Sequence, residues 1–255
     1  MKKLQIIKIG GKIIDDEQQL SLVLKAIANI TEPKILIHGG GSKATKMEQT
    51  LGHTPNMVEG RRITDANALE VVTMVYAGLI NKSIVAGLQR FGCNALGLSG
   101  ADGNVIQCEK RPVKPIDYGF VGDVKTVNTN FITSLIETGL TPVFSAITHD
   151  GNGQLLNTNA DTTASEIAVA MSDQYEVGLT FTFEKNGVLD DKGNIIEIIT
   201  EVKFSELQKE KVIIDGMIPK LTNAFYALKN GVKEVKLTSA EYLWNKELTY
   251  TSVQL

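Results

Sequence analysis

The chain has 255 residues, of which 43% are hydrophobic and 22% are charged. That apolar content is enough for one large core or two fused lobes, and it excludes a generally disordered chain. The 26 basic and 29 acidic residues leave a formal net charge of -3, and the basic residues form no block. Binding to nucleic acid or to an anionic lipid surface is therefore not predicted.

The apolar runs and the cysteine content also indicate where in the cell the protein is expected. The first apolar run, residues 4–9, is too short for a signal peptide, and glycines interrupt it at once. We expect no segment to reach the roughly 20 consecutive apolar residues of a membrane helix. Cys93 and Cys108 are too few for a disulfide framework or a metal cluster, which predicts reduced thiols and a cytoplasmic protein without a metal site of its own.

Short apolar runs are predicted to form strands that alternate with longer helices. The predicted strands span residues 4–9, 34–37, 95–98, 141–144, 177–182 and 234–237, and the helices span 17–30, 66–91, 129–138, 162–171 and 219–229. Gly92, Gly139 and Gly231 follow three of these helices, at positions typical of C-caps. The alternation predicts an α/β fold, a three-layer αβα sandwich with a mainly parallel central sheet.

Two further features concern domain organisation. The stretch from 107 to 123 is rich in turn residues and alternates in polarity, which predicts a β-hairpin outside the main sheet. A boundary near Gly178 would divide the chain into an N-terminal lobe, residues 1–176, and a smaller C-terminal lobe, residues 177–255.

The first candidate site residues follow the first strand, where Lys8 precedes Gly10 and Gly11. Glycines at a strand end let backbone N–H groups approach an anion closely, and Lys8 adds a positive charge. A tight turn would explain the glycines alone. The prediction of an anion site therefore depends on the other segments described below.

The second strand ends in the sequence HGGGS, and a helix is expected to start near Lys43. Gly40 and Gly41 would expose amides where the helix dipole is positive, which suits a carboxylate or a phosphate. The spacing is neither that of a P-loop nor that of the GxGxxG dinucleotide motif. We therefore predict an anion site rather than a Rossmann fold.

Arg61 and Arg62 precede the long helix, at which Thr64 or Asp65 is the expected cap. An arginine can hold a carboxylate through two parallel hydrogen bonds. For either arginine alone, a solvated surface role and ligand binding both stay open.

Two more helix N-termini carry an excess of polar groups. Asn157, Asn159 and Asp161 crowd the start of one helix, where capping accounts for only one of them. Pro219 suits the first turn of the last helix, but Lys220 lies at its dipole-positive end. A lysine there is electrostatically misplaced unless it meets an anion.

These segments, in their order and spacing, resemble the amino acid kinase family over nearly the whole chain. The matching motifs are IIKIGG, HGGGS, GRRITD, LGLSGADG, GFVGDV, GQLLNTNAD and DGMIPK. The last two look like the acylglutamate kinase branch rather than uridylate or carbamate kinases. The resemblance implies an αβα sandwich whose N-terminal lobe binds an acylglutamate and forms a homodimer, and whose C-terminal lobe binds ATP.

The resemblance also implies roles at the reacting centre. Lys8 and Lys220 would neutralise charge on the phosphoryl group in transfer, and Asp161 would hold both lysines in place. Gly10 and Gly11 would donate amides to the γ-phosphate. Mg²⁺ would enter bound to the nucleotide, as in other phosphoryl transfers.

The substrate roles follow from the same resemblance. Gly40 and Gly41 would receive the side-chain carboxylate of the substrate. Arg62 and Asn157 would hold its α-carboxylate and its acylamide end. The implied reaction is ATP-dependent phosphorylation of N-acetyl-L-glutamate, a step of arginine biosynthesis.

The chain departs from the family pattern in the ATP lobe. Residues 181–187 read FTFEKNG, where the family usually has L-(S/T)-D-V-x-G. Glu184 would replace the aspartate and, with Gly187, contact ATP, while Phe183 places bulk where a small hydroxyl is usual. We expect a reshaped nucleotide pocket.

Other readings remain open at this point. The acyl group could be succinyl instead of acetyl, the acceptor could be free glutamate or aspartate, or the chain could be a binding or regulatory homologue without turnover. Members of the branch that arginine inhibits carry a helix before the first strand, whereas a strand is predicted here from Leu4. We therefore expect a homodimer that arginine does not inhibit.

Overall fold

The computed structural model describes residues 1–58, 60–213 and 216–255. Its strands are β1 (Lys2–Ile9), β2 (Lys34–His38), β3 (Met57–Val58), β4 (Arg61–Arg62), β5 (Ala95–Leu98), β6 (Ile106–Lys110), β7 (Gly122–Val127), β8 (Thr141–Ser145), β9 (Ile147–His149), β10 (Leu155–Asn157), β11 (Tyr175–Phe183), β12 (Ile198–Ile199), β13 (Glu234–Ser239) and β14 (Thr251–Val253).

Helices cover the strands. They are α1 (Gly11–Asp15), α2 (Glu17–Ala28), α3 (Gly41–Thr50), α4 (Ala66–Val72), α5 (Asn81–Arg90), α6 (Thr129–Glu137), α7 (Ala160–Met171), α8 (Glu201–Lys209) and α9 (Met217–Lys229). A π-helical segment, Thr73–Ile80, joins α4 to α5, and Asp102–Asn104 and Ala240–Leu243 form short 3₁₀ helices.

Eight strands form the central sheet in the order β12-β14-β13-β11-β1-β2-β8-β5. The pairs from β13 through β11, β1, β2 and β8 to β5 are parallel, and β14 runs antiparallel to β13. The prediction of a mainly parallel α/β sandwich is confirmed. Every predicted strand and helix is present with ends within about two residues, and Gly92, Gly139 and Gly231 have the positive φ of C-cap glycines.

Side chains of β1 alternate between two hydrophobic cores. Leu4 and Ile6 pack with α7 and α9 on one side, whereas Ile7 and Ile9 pack with α2 and α5 on the other. Alternation with a period of two is what a strand covered on both faces requires. The central sheet is therefore the middle of three layers.

The predicted hairpin is also confirmed. β6 and β7 pair antiparallel, and with β9 and β10 they form a separate four-stranded sheet. Gly119 lies against the backbone of Thr64, where a Cβ atom would be 2.3 Å from the carbonyl oxygen. This close backbone approach ties the loop between β6 and β7 to the segment after β4.

The long helix Ala66–Arg90 corrects one expectation, because by length and composition it could cross a membrane. It also contains a π-helical stretch that the sequence pattern did not indicate. In the fold Val72, Ile80 and Ile84 of this helix are buried in the core beside α2. The helix thus packs as a core helix of the sandwich.

The predicted lobe boundary falls inside a continuous sheet. β11 starts at Tyr175 and pairs along its length with β1, so residues on both sides of 176 share one sheet. The division into lobes that bind different substrates stays a prediction. Asp215, part of the DGMIPK motif, lies outside the described residues.

Candidate active site

Two lysines from opposite ends of the chain meet one carboxylate. Lys8 Nζ lies 2.8 Å from Asp161 Oδ1, and Lys220 Nζ lies 2.8 Å from Asp161 Oδ2. Both lysines are buried, with 9% and 8% of their surface exposed. The three residues that sequence reasoning placed at the reacting centre are therefore in direct contact.

The elements that carry these residues explain the convergence. Lys8 lies on β1, where it pairs with Ile37 of β2 and Phe181 of β11 in the middle of the sheet. Asp161 is in the first turn of α7, whose N-cap Asn159 accepts hydrogen bonds from the backbone N–H of Asp161 and Thr162. An acidic residue there interacts favourably with the helix dipole.

The shared carboxylate is electrostatically unusual. Burial alone would raise the pKa of Asp161, but the charges of Lys8 and Lys220 outweigh it and hold that pKa well below its usual range. Burial, with the charge of Lys8, lowers the pKa of Lys220 despite its bond to Asp161. One carboxylate for two ammonium groups leaves a local positive charge, which suits an incoming anion.

Two glycine turns open helices beside this cluster. Gly10 caps α1 and Gly40 caps α3, and neither helix has a side-chain hydrogen bond at its cap. A Cβ atom at Gly40 would lie 2.2 Å from Ile80 Cδ1, so only glycine fits there. The first backbone amides of α3 therefore have no side-chain acceptor at the cap. Binding of an anion there stays a prediction.

His38 is the last residue of β2 and holds the start of the second glycine turn in place. Burial lowers its pKa to about 4, so its imidazole is neutral at pH 7. Nδ1 lies 2.9 Å from the carbonyl oxygen of Gly39, and Nε2 lies 3.1 Å from the side-chain nitrogen of Asn81. Asn81 also donates to Val143 on the neighbouring strand. The network anchors the glycine turn to the sheet and to the long helix.

A cavity of about 230 Å³ lies between the turns, the lysine cluster and the hairpin. Its predicted site residues are Lys8, Gly11, Gly40, Gly41, Arg62, Asn157 and Asp161. Sequence reasoning missed other lining residues, namely Met57, Tyr76, Arg111, Tyr118, Val121 and Ala146. Val121 lies in the GFVGDV motif, but no motif marks the other five. They reach the cavity only through the folding of β3, the long helix, the hairpin and the segment between β8 and β9.

Arg62 and Asn157 lie in the cavity wall with protein partners of their own. Buried Arg62 forms an ion pair with Glu48 and donates to Thr45 Oγ1 at 2.7 Å and to the Gly41 carbonyl oxygen at 3.1 Å. Asn157 donates from its side chain to Thr64 Oγ1 at 3.0 Å. Arg62 therefore stabilises the second glycine turn through its hydrogen bond to the Gly41 carbonyl oxygen.

The segment with the altered sequence lies outside this cavity. Glu184 pairs with Lys12 at 3.0 Å, on the surface beside α1. Gly187 lines a separate cavity of about 200 Å³ with Phe183 and Val188, where a Cβ atom would lie 2.7 Å from Thr251 Oγ1. Of the predicted ATP contacts, Glu184 and Gly187 thus lie away from the cavity of the predicted acylglutamate contacts, whereas Gly11 lines that cavity.

The sequence model of the amino acid kinase family matches residues 3–239. The chain belongs to the amino acid kinase family. An acetylglutamate kinase of Bacteroides fragilis is 53% identical to it over 242 residues, which cover 94% of this chain and 93% of that protein.

Solved structures agree with this family assignment. The smu.665 protein of Streptococcus mutans UA159 has a TM-score of 0.82 at 26% identity and covers 93% of this chain and 95% of its own. A carbamate kinase of Giardia lamblia bound to AMP-PNP has a TM-score of 0.70 at 15% identity, covering 99% and 98%. The second likeness concerns the fold alone.

One contact of the lysine cluster comes from the segment, residues 181–187, that departs from the family pattern. Lys220 Nζ lies 5.3 Å from the ring centre of Phe181 and 5.9 Å from that of Phe183. The second phenylalanine comes from the segment that departs from the family pattern. Its aromatic face adds a favourable contact for the ammonium group.

Proposed function

We propose that this chain is a kinase that transfers the γ-phosphoryl group of ATP to the side-chain carboxylate of N-acetyl-L-glutamate, a step of arginine biosynthesis. The observation that carries the proposal is the pair of buried lysines on Asp161, beside two helix N-termini whose glycine caps, Gly10 and Gly40, provide no side-chain hydrogen bond. Relatives named acetylglutamate kinase at about half identity over nearly the full chain support the choice of acceptor.

The chemistry needs no general base. A glutamate carboxyl with a pKa of about 4.3 is already ionised at pH 7. A carboxylate oxygen forms a bond to the γ-phosphorus, the bond from phosphorus to the β,γ-bridging oxygen breaks, and ADP leaves with that electron pair. The protein's task is to align two anions and to stabilise charge, which Lys8 and Lys220 do.

We propose that the acceptor occupies the cavity of about 230 Å³. Its side-chain carboxylate would accept hydrogen bonds from the amides of Gly40 and Gly41. Arg62 and Asn157 would meet the α-carboxylate and the acylamide. A free α-ammonium group in place of the amide would bring a further positive charge close to Arg62, so free glutamate should be a poor acceptor.

We place ATP between the first glycine turn and the C-terminal part of the chain, since Gly10 lies against the backbone of Thr182 and Phe183. Gly10 and Gly11 would donate amides to the γ-phosphate, and Lys12 would meet the phosphates once released from Glu184. The apolar cavity beside Gly187 is a candidate for the adenine base.

Mg²⁺ would be bound through the nucleotide. Among the described residues no group of three His, Cys, Asp or Glu side chains could hold a metal ion. Both oxygens of Asp161 face lysines, so this carboxylate is a poor ligand for a cation. When bound to the phosphates, Mg²⁺ would screen their charge.

A coupled assay of ADP release tests the proposal. We expect ADP release with N-acetyl-L-glutamate and almost none with L-glutamate or without an acceptor. Purified protein that binds ATP but releases no ADP with any acceptor would instead support a binding or regulatory role. Release with L-glutamate alone would identify a kinase for the free amino acid.

We also propose a cytoplasmic homodimer. The outer face of the long helix exposes Met74 and Leu79, each by more than half of its surface, and a groove beside Met74 is lined by Leu69 and Leu155. An apolar face of this kind suits a second copy of the chain. Light scattering should give a dimer, and Met74→Glu together with Leu79→Glu should give a monomer; a monomeric wild-type protein would refute the assembly.

A further inference from the structure

The cavity proposed for the acceptor is lined by more cationic side chains than N-acetylglutamate has carboxylates. Three guanidinium groups, from Arg61, Arg62 and Arg111, line it in addition to Lys8. N-acetylglutamate has two carboxylates, and the glycine turn is the proposed site of one of them. A single arginine suffices for the α-carboxylate, and the acetyl group itself is neutral.

The three arginines are not equivalent. Arg62 is buried, and its two terminal nitrogens bond to Glu48, Thr45 and Gly41. Arg61 is exposed and also lines the neighbouring cavity beside Pro219. The remaining guanidinium, that of Arg111, follows the hairpin strand β6.

Arg111 uses only one edge of its guanidinium within the described part of the chain. Nε donates to both oxygens of Asp123 at 3.0 and 3.2 Å, and Nη2 donates to Oδ1 at 2.5 Å. A guanidinium has five N–H donors on three nitrogens, so the edge formed by Nη1 and Nη2 retains donors for a second carboxylate. Asp123 therefore orients the guanidinium group but leaves some of its N–H donors without a partner among the described residues.

The surroundings favour an ionic partner on that second edge. The Arg111 side chain is only 19% exposed, and its Cζ lies 5.5 Å from the ring centre of Tyr118, which also lines the cavity. A guanidinium held this way is pre-organised, so little side-chain entropy is lost when it binds. A methyl group of an acetyl substituent would leave those donors without an acceptor.

We propose that the acyl end of the acceptor carries a carboxylate held by Arg111, so that the cavity favours N-acylglutamates of a dicarboxylic acid, with N-succinyl-L-glutamate as the test compound, over N-acetyl-L-glutamate. The inference rests on the proposed function, because it concerns the same reaction at the same site. It adds the substrate's third carboxylate and the residue that recognises it.

The experiment compares three acceptors in the ADP-release assay. N-succinyl-L-glutamate carries the extra carboxylate, N-butanoyl-L-glutamate has the same chain length without it, and N-acetyl-L-glutamate is the short neutral acyl. We expect kcat/KM to be highest for the succinyl compound, by about tenfold or more over the butanoyl compound, which is the effect of one charge-assisted hydrogen-bond pair.

Variants identify the residue responsible. Arg111→Gln should lower the ratio of succinyl to acetyl kcat/KM by about tenfold or more, whereas Asp123→Asn, which keeps the guanidinium and removes only the group that orients it, should lower the ratio by less. Lys125→Gln is the matched control, since it removes a positive charge from the same hairpin at an exposed pair with Glu109. It should leave the ratio unchanged.

Two results would overturn the inference. If Arg111 only stabilises the hairpin, Arg111→Gln and Asp123→Asn will lower kcat/KM for all acceptors equally. The ratio of succinyl to acetyl kcat/KM will then stay constant. If the wild-type enzyme uses acetyl and butanoyl compounds but not the succinyl one, charge recognition is wrong while the proposed function stands. Failure with every acylglutamate would defeat the proposed function itself.

Discussion

Lys8 and Lys220 contact opposite oxygens of one carboxylate, that of Asp161, at the same distance of 2.8 Å. Neither lysine has another ion-pair partner among the described residues. The carboxylate holds two like charges together that would otherwise repel in a buried place. This arrangement makes both activity and stability depend on all three residues.

Removing one of these ammonium groups should abolish most of the turnover. Lys8→Ala and Lys220→Ala are each expected to lower kcat by about 100-fold or more, the effect of losing one donor that stabilises transition-state charge. Lys203→Ala, at an exposed pair with Glu206, is the matched control and should retain activity. Steady-state kinetics with circular dichroism separates lost chemistry from lost folding.

The ion pair between Arg62 and Glu48 should contribute to folding. Both side chains are 4% exposed. Glu48→Gln would leave an uncompensated buried guanidinium, at a cost of about 3–5 kcal/mol in the free energy of unfolding. The exposed pair of Lys125 and Glu109 offers the comparison, since Glu109→Gln should cost at most about 1 kcal/mol. Urea titrations measure both, and equal losses would contradict the burial argument.

Gly40 should be intolerant of any side chain. Gly40→Ala would force a methyl group into Ile80 Cδ1 at 2.2 Å, beside the ring of Tyr76. We expect a loss of about 1–3 kcal/mol in stability, from overpacking, and a displaced glycine turn with lower activity. Gly52→Ala is the control, because Gly52 also has positive φ but open space around it. A Gly40→Ala enzyme with unchanged kcat/KM would show that the turn does not position the substrate.

His38 should make stability depend on pH below neutrality. Its pKa is 6.5 when unfolded and about 4 in the fold, because burial disfavours the imidazolium. A lowered folded pKa means that the stabilisation is complete above pH 6.5 and is lost progressively as pH falls towards 4, by about 3 kcal/mol in total. Unfolding free energies of wild-type and His38→Gln protein at pH 7.5 and 5 test this. The difference between the two proteins should shrink at the lower pH, and a constant difference would refute it.

Local patterns in the chain determined the secondary structure. The strand from residue 34 and the helix from residue 129 could be located because short-range periodicity and caps depend on neighbouring residues. Three successive glycines after a strand marked Gly40 in the sequence, although the contact with Ile80 that requires glycine there is a tertiary one. Family resemblance added which lysines belong together.

Tertiary structure decided what lies against those residues. No periodicity indicated the π-helical stretch at Thr73–Ile80, the partner of Arg62 or the edge of Arg111 that Asp123 leaves open. Each depends on contacts between segments that are distant along the chain. Such contacts form only when the sheet, the long helix and the hairpin pack, because burial and charge pairing are properties of the folded surroundings and not of a local sequence.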